Sequence, residues 1–320
     1  MPAAVRALKS VLLPTLGSPT MPHSMAGVPG AWGRVARKLR RFGRSGGPTM
    51  LIGPGHRRIR GFPVDHSRPL RDPVSVSNHG PISSTDPSAR WPEPTMSIKI
   101  TFHGHAAFSL SDGTHTVLID PFITGNPQAE AAGITADSIS CTHIALTHGH
   151  EDHVGDTIAI AKRCDATVLG PFELCNMLGE EGLEKLEPAN PGGGVDMPFG
   201  RITMTNAFHS SSFGGKYMGM PTGLVIRMGD TTIYNTGDTG IFGDMALIAE
   251  IHRPDVLILP IGDRFTMGPA DATRAAEMVN APIAIPCHFG TWPLIDIDPT
   301  RFAPNGVEVR RLDVGASTEV

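Results

Sequence analysis

The stretch Leu146-Thr147-His148-Gly149-His150-Glu151-Asp152-His153-Val154-Gly155 sets three histidines and two carboxylates directly behind a short apolar run, Ile144 to Leu146. Imidazole and carboxylate are the donors that borderline divalent ions such as zinc accept. In extended backbone, residues two apart point to one side. The spacing therefore predicts that His148 and His150 grip one ion while Asp152 and His153 turn toward another. A solvated, histidine-rich loop is the bland alternative. Three residues further along weigh against it: His209 follows the run Ile202 to Asn206, Asp238 follows Thr232 to Tyr234, and His288 follows Ile283 to Ile285. Each alone reads as an ordinary polar residue at a strand end, and together with the first cluster they read as candidate ligands.

The remaining pattern supplies a scaffold for such a cluster. Further β-rich runs fall at Ile98 to Phe102, Ala106 to Leu110, Thr116 to Ile119, Thr167 to Leu169, Leu224 to Met228, Val256 to Leu259 and Val307 to Leu312. Helical patterns interleave at Asp156 to Arg163, Phe172 to Leu178, Asp244 to Ile251 and Pro269 to Val279. Asp156 is placed to cap the first of these helices, and Pro269 suits the first turn of the last. Strands followed by strands alternating with helices predict a layered α/β architecture. Its loop ends would carry the histidines and aspartates.

Charge divides the chain. Met1 to Thr95 holds 14 basic and 4 acidic residues, against 13 basic and 27 acidic from Met96 onward. The first 95 residues are rich in Pro, Gly, Arg and Ser. Breakers such as Gly46-Gly47-Pro48 interrupt them, and they carry too little apolar surface to offset their ordering entropy. They are expected to be a disordered basic extension, with one short basic helix conceivable at Arg34 to Phe42. A targeting segment is one explanation. Translation from Met96, where the alternating Ser97-Ile98-Lys99-Ile100-Thr101-Phe102 begins at once, is the favoured one. The folded domain that carries the histidine cluster is expected over residues 96–320.

Cys141, Cys164, Cys175 and Cys287 form no C-x-x-C pair and are too few to staple a domain of this size, so a reducing, cytoplasmic compartment is expected. No apolar run of roughly 18 residues occurs, so no membrane span is expected. The acidic second segment lacks the clustered Lys and Arg that bind a phosphate backbone, so no nucleic-acid partner is expected. A homo-oligomer stays compatible.

The ordered set Asp120, His148 to His153, His209, Asp238 and His288 resembles the five motifs of the metallo-β-lactamase superfamily. The segments Gly104-His105-Ala106-Ala107-Phe108, Leu118-Ile119-Asp120-Pro121, Pro260-Ile261-Gly262 with Phe265-Thr266-Met267, and Pro286-Cys287-His288-Phe289-Gly290-Thr291 look like its uncharacterised metal-dependent hydrolase branch. That branch is similar to ascorbate-phosphate lactonases and N-acyl phosphatidylethanolamine phospholipase D. The resemblance implies a four-layered αββα sandwich. It implies one metal on His148, His150 and His209, a second on Asp152, His153 and His288, and Asp238 bridging them. Zinc is the first expectation, with manganese, iron and nickel compatible. Asp120 is expected to support the ligand loop, and His105 to contact a ligand or substrate unless it is an ordinary buried histidine. Asp263 stands where relatives often carry a small residue.

Two such ions lower the pKa of a shared water and so supply hydroxide at neutral pH. Asp152 and Asp238 are the expected proton-handling carboxylates. An aspartate at 238 in place of the cysteine of antibiotic-destroying enzymes disfavours β-lactam hydrolysis. A histidine at 150 in place of a carboxylate disfavours flavodiiron redox chemistry. The expected function is cleavage of an ester or lactone of a small molecule, with phosphodiester hydrolysis as one alternative and a non-catalytic metal-binding scaffold or sensor as another. Ser210 to Ser212 read as an ordinary polar loop. Ser211 to Thr222 read either as a mobile substrate loop, with Lys216 meeting an anionic group, or as a flexible surface connection.

Overall fold

Strand β1 (Lys99–Gly104) shows why the sequence layers as it does: Ile100 and Phe102 are buried on one face while Lys99 and Thr101 turn toward solvent. The computed structural model describes residues 97–320; the basic extension over 1–95, with the helix expected at Arg34 to Phe42, lies outside the described residues. In chain order the first half adds β2 (Ala107–Ser111), β3 (Thr116–Ile119), α1 (Pro127–Ala131), β4 (His143–Ala145), α2 (Glu151–Val154), α3 (Thr157–Cys164), β5 (Thr167–Pro171), α4 (Phe172–Glu180) and β6 (Leu186–Ala189). The second half adds β7 (Gly194–Met197), β8 (Gly200–Asn206), the hairpin β9 (Ser212–Phe213) and β10 (Lys216–Tyr217), β11 (Thr222–Met228) and β12 (Thr231–Asn235). It closes with α5 (Met245–His252), β13 (Val256–Pro260), α6 (Pro269–Val279), β14 (Ile283–Cys287), β15 (Glu308–Val309) and β16 (Ser317–Glu319).

These strands form two seven-stranded sheets, ordered β16-β1-β2-β3-β4-β5-β6 and β15-β14-β13-β12-β11-β8-β7. Each sheet is antiparallel where hairpins join its strands and parallel from β3 to β6 and from β12 to β15. Parallel neighbours need a crossover, which puts helices on the outer faces. Ile100, Phe108, Leu110, Ile226, Ile233 and Ile258 belong to one apolar cluster, drawn from the facing sides of both sheets. Ile144, Val168, Ile160, Leu174 and Leu178 bind the first sheet to its helices, and Leu257, Leu259, Met245, Ala272 and Ala276 bind the second to its own. Three apolar interfaces make four layers, the αββα sandwich that the resemblance implied.

Three local readings are corrected. Glu151–Val154 is a helical turn rather than extended chain, with His150 at its N-cap (φ −73°, ψ 150°) and Gly155 at its end. Asp156 stands at the start of α3 but its side chain does not cap it; the carboxylate instead accepts from the amides of Ile123 and Thr124 (3.1 and 2.8 Å) and pins the loop after β3. The strand expected over Val307 to Leu312 shortens to Glu308–Val309, the residues in register with Ile283 and Ala284 of β14. Pro269 does open α6. The loops carrying Asp120, His148 to His153, His209, Asp238 and His288 all leave the C-terminal ends of strands, on one rim of the sandwich.

Phe108 is fully buried in the cluster between the sheets. Phe108→Ala is expected to lower unfolding free energy by about 3–5 kcal/mol. Urea denaturation reads this as a fall in midpoint at unchanged slope; a loss below about 1 kcal/mol would place Phe108 outside the core.

Candidate metal centre

Asp120 ends β3 in left-handed backbone (φ 44°), which aims its buried carboxylate at the chain leaving β4. One oxygen accepts from the Thr147 amide (2.8 Å); the other accepts from the Thr147 hydroxyl (2.6 Å) and pairs with His153 Nδ1 (2.8 Å). Thr147 Oγ1 lies 3.0 Å from His148 Nδ1, so a single carboxylate orients two imidazoles of the cluster. Beyond them His148 Nε2 and His150 Nδ1 face each other at 2.9 Å. Gly149, between them, is dictated by packing: a Cβ there would lie 2.3 Å from Met218 Cβ.

The second sheet supplies the rest. Asp238 Oδ2 lies 3.0 Å from His288 Nε2, 3.3 Å from His153 Nε2 and 3.6 Å from His209 Nε2. Donor atoms of His148, His150 and His209 lie within 4.8 Å of one another, as do those of His105, Asp152, His153 and His288, and those of His148, His153 and Asp238. The structure thus brings all seven expected residues together. It adds His105, whose Nε2 stands 3.2 Å from Asp152 Oδ2 and whose Nδ1 stands 2.8 Å from Thr291 Oγ1. His105 also donates its amide to Gln128 on α1 (2.7 Å) and accepts at its carbonyl from the His288 amide (2.7 Å), which stitches the two sheets together at the site.

Electrostatics sort the imidazoles. Burial pushes His150 and His105 down to about 4 and lowers His148 and His209 as well, so these rings are neutral at pH 7 with lone pairs to offer. Burial alone would depress His153 and His288 too, but the neighbouring carboxylates together reverse it and raise both, Asp238 with Asp120 at His153 and Asp238 with Asp152 at His288. Burial would raise Asp152 and Asp238, yet the surrounding imidazoles hold both below the usual carboxylate range. The residues fit divalent cations. His153 Nε2, unaligned with Asp238, is buried without a hydrogen-bond partner, a costly state that a cation in the cluster relieves.

Above these residues opens a cavity of about 250 Å³, lined also by Glu151, Ser210, Ser212, Phe265 and Trp292. Lys216 is exposed on β10 and is absent from the lining, as is Asp263. Sequence reasoning missed several supports. Ser211, read as part of a plain polar loop, is buried, and its hydroxyl accepts the Gly149 amide at 3.1 Å; Ser210 Oγ lies 3.2 Å from His150 Nε2. Thr291 and Gln128 were equally invisible, because their partners lie far away in sequence. Backbone conformation offers a further signal. Among the described residues, non-glycines with positive φ are His105, Asp120, Asp263, Arg264 and His288 around the site and Asp165, Arg253 and Asn280 at helix ends. Each such residue costs about 1–3 kcal/mol where it is not a helix cap, and strain of this kind concentrates at functional sites.

Residues 99–288 match the model of the β-lactamase superfamily domain. The chain belongs to that superfamily. Within it, the chain is 45% identical over 231 residues to a UPF0173 metal-dependent hydrolase of Shouchella clausii, covering 70% of this chain and 100% of that one. A second UPF0173 metal-dependent hydrolase, from Carboxydothermus hydrogenoformans, is 47% identical over 212 residues, 65% of this chain and 92% of the relative. Among solved structures, the metallo hydrolase Igni18 of Ignicoccus hospitalis superposes with a TM-score of 0.64 at 31% identity, covering 70% of this chain and 98% of its own. The metallo-β-lactamase fold protein YhfI of Bacillus subtilis shares the fold at 16% identity with a TM-score of 0.55, covering 70% and 99%.

Two outcomes are expected of this geometry. Asp120→Asn removes the charge that orients His153 and Thr147, and is expected to weaken metal affinity about 10–100-fold, measured by competition with a chromogenic chelator. An unchanged affinity would make Asp120 a purely structural carboxylate. In the metal-free protein, the raised His153 and His288 contribute stability that is complete below their unfolded value and lost as pH rises through their folded values. The lowered His150 contributes stability that is complete above about 6.5 and lost as pH falls toward about 4, and the lowered His148 acts in the same direction. Chelator-treated protein is therefore expected to melt at lower temperature on both sides of neutrality, and metal to abolish the alkaline fall. A flat alkaline limb without metal would contradict the pairing with Asp238.

Proposed function

We propose that this chain is a hydrolase of the cytoplasm that cleaves an ester or lactone of a small molecule with two divalent ions, zinc first among them. The observation that carries this reading is the convergence of five imidazoles and two carboxylates, of which His150, Asp152, His209, Asp238 and His288 line an open cavity. The names of the UPF0173 relatives, metal-dependent hydrolases at 45–47% identity, support it. His148, His150 and His209 would hold one ion, Asp152, His153 and His288 the other, and Asp238, which approaches residues of both groups, would serve both. Bound there, the ions supply Lewis acidity: they make water nucleophilic at neutral pH and polarise a carbonyl or phosphoryl oxygen.

The chain's own residues supply the rest. Asp152 and Asp238 are held ionised and are the carboxylates able to take a proton from the attacking water and return it to the leaving oxygen. His105, fixed by Thr291, orients Asp152 by a hydrogen bond. No cysteine lines the cavity, and burial pushes Cys141 and Cys175 up to about 12 and Cys287 well above its ordinary value. The four cysteines are free, which suits a reducing compartment. No helix among the described residues is long and apolar enough to cross a membrane.

Elemental analysis is expected to find two equivalents of metal. A panel of carboxylic esters, lactones and bis-p-nitrophenyl phosphate is expected to show turnover that falls about 100-fold or more in His150→Ala. Cleavage of the phosphodiester alone would move the reading to a phosphodiesterase, and full metal loading with no turnover on any of them would favour a sensor or scaffold.

A further inference from the structure

The cavity lining mixes two kinds of side chain: polar Ser210, Ser212 and Glu151, and aromatic Phe265 and Trp292. Phe265 is 43% exposed, so its ring contributes little to the core. It is nonetheless held in place at a conformational cost, by two successive non-glycine residues in left-handed backbone, Asp263 (φ 63°) and Arg264 (φ 46°). The turn is closed by the Asp263 amide on the Met267 carbonyl (3.0 Å) and the Thr266 amide on the Asp263 carbonyl (3.1 Å). It is also registered to two of the three ligand loops of the second sheet. The Met267 amide donates to the carbonyl of Thr239, next to Asp238, at 3.0 Å, and Gly262 lies so close to His288 that a Cβ there would sit 2.1 Å from its carbonyl oxygen. Trp292 is as firmly set, with its ring edge-on to His105 at 4.9 Å and 6.0 Å from Phe122, beside the Thr291 that fixes His105. An exposed ring on a strained turn, locked to the reacting floor, has its use in what the cavity holds.

We infer that Phe265 and Trp292 form an apolar subsite that selects substrates carrying an aliphatic or aromatic acyl group next to the bond that is cut. The inference rests on the hydrolase reading for its chemistry and on the two rings for its specificity. The Arg264 guanidinium carbon lies 5.8 Å from the Phe265 ring centre, a cation–π contact that helps hold the ring.

The test uses the full-length, metal-replete protein and two series. Carboxylates that mimic acyl products (acetate, butyrate, hexanoate and 4-phenylbutyrate) are titrated by calorimetry, and the matching p-nitrophenyl esters are assayed for turnover. Affinity is expected to rise about tenfold or more from acetate to hexanoate, and kcat/KM in parallel, since each buried methylene favours binding by a factor of a few. Phe265→Ala and Trp292→Ala are each expected to flatten both series to within about threefold while metal content is retained, and Phe265→Leu to keep most of the slope. A flat affinity series in the unaltered protein, or the same slope in both alanine variants, overturns the subsite. A steep affinity series that the variants flatten, with no ester turned over, upholds the subsite and overturns only the ester reading.

Discussion

The carboxylate of Asp120 is the interaction on which the centre depends. It is buried, it is set in left-handed backbone, and it reaches across from β3 to fix both the backbone of Thr147 and the ring of His153. Through Thr147 it also steers His148. Thr147 in turn accepts at its carbonyl from the amide and hydroxyl of Thr222 (3.0 and 2.8 Å), so the same short segment joins the first sheet to β11 of the second. Loss of this one group would leave two candidate ligands without orientation and a buried threonine amide without a partner, a double penalty in a low-dielectric interior.

Around that anchor the sandwich behaves as a frame that aims loops. The parallel parts of both sheets point their strand ends to one rim, and every candidate ligand leaves the rim within a few residues of a strand. A rigid strand end confines a loop residue to a narrow range of positions, which is how donors from five loops converge in three overlapping groups, each within 4.8 Å. The fold therefore explains the existence of the cavity, and its side chains must explain the reaction.

Much of this was legible in the sequence because its signals are local. The apolar runs that became β3, β11, β13 and β14 carry their period in a few residues, and the His148 to His153 cluster declares its donors within six positions. What stayed hidden depends on tertiary contact. Asp156 has the right residue type for a cap, yet the amides of Ile123 and Thr124 compete successfully for its carboxylate. The turn at Glu151–Val154 carries no helical signature of its own and is held between the His150 carbonyl and Gly155. Ser211, Thr291 and Phe265 carry no metal-binding signature, and their importance lies in what the fold sets beside them. Lys216 shows the converse: a plausible charge in a glycine-rich loop that the hairpin β9–β10 turns outward.

The division of the cluster between the two sheets has a consequence for the chain as a polymer. His148, His150, Asp152 and His153 belong to the first sheet, and His209, Asp238 and His288 to the second, so ions held by the cluster would tie segments far apart in sequence. In chain-entropy terms each such ion is a crosslink closing a long loop, and it restricts the unfolded ensemble much as a disulfide does. The four cysteines are unpaired and give the protein no covalent brace of that kind. Loading would thus do two things at once: arm the cavity and rivet the two halves of the sandwich along the rim where they open to solvent.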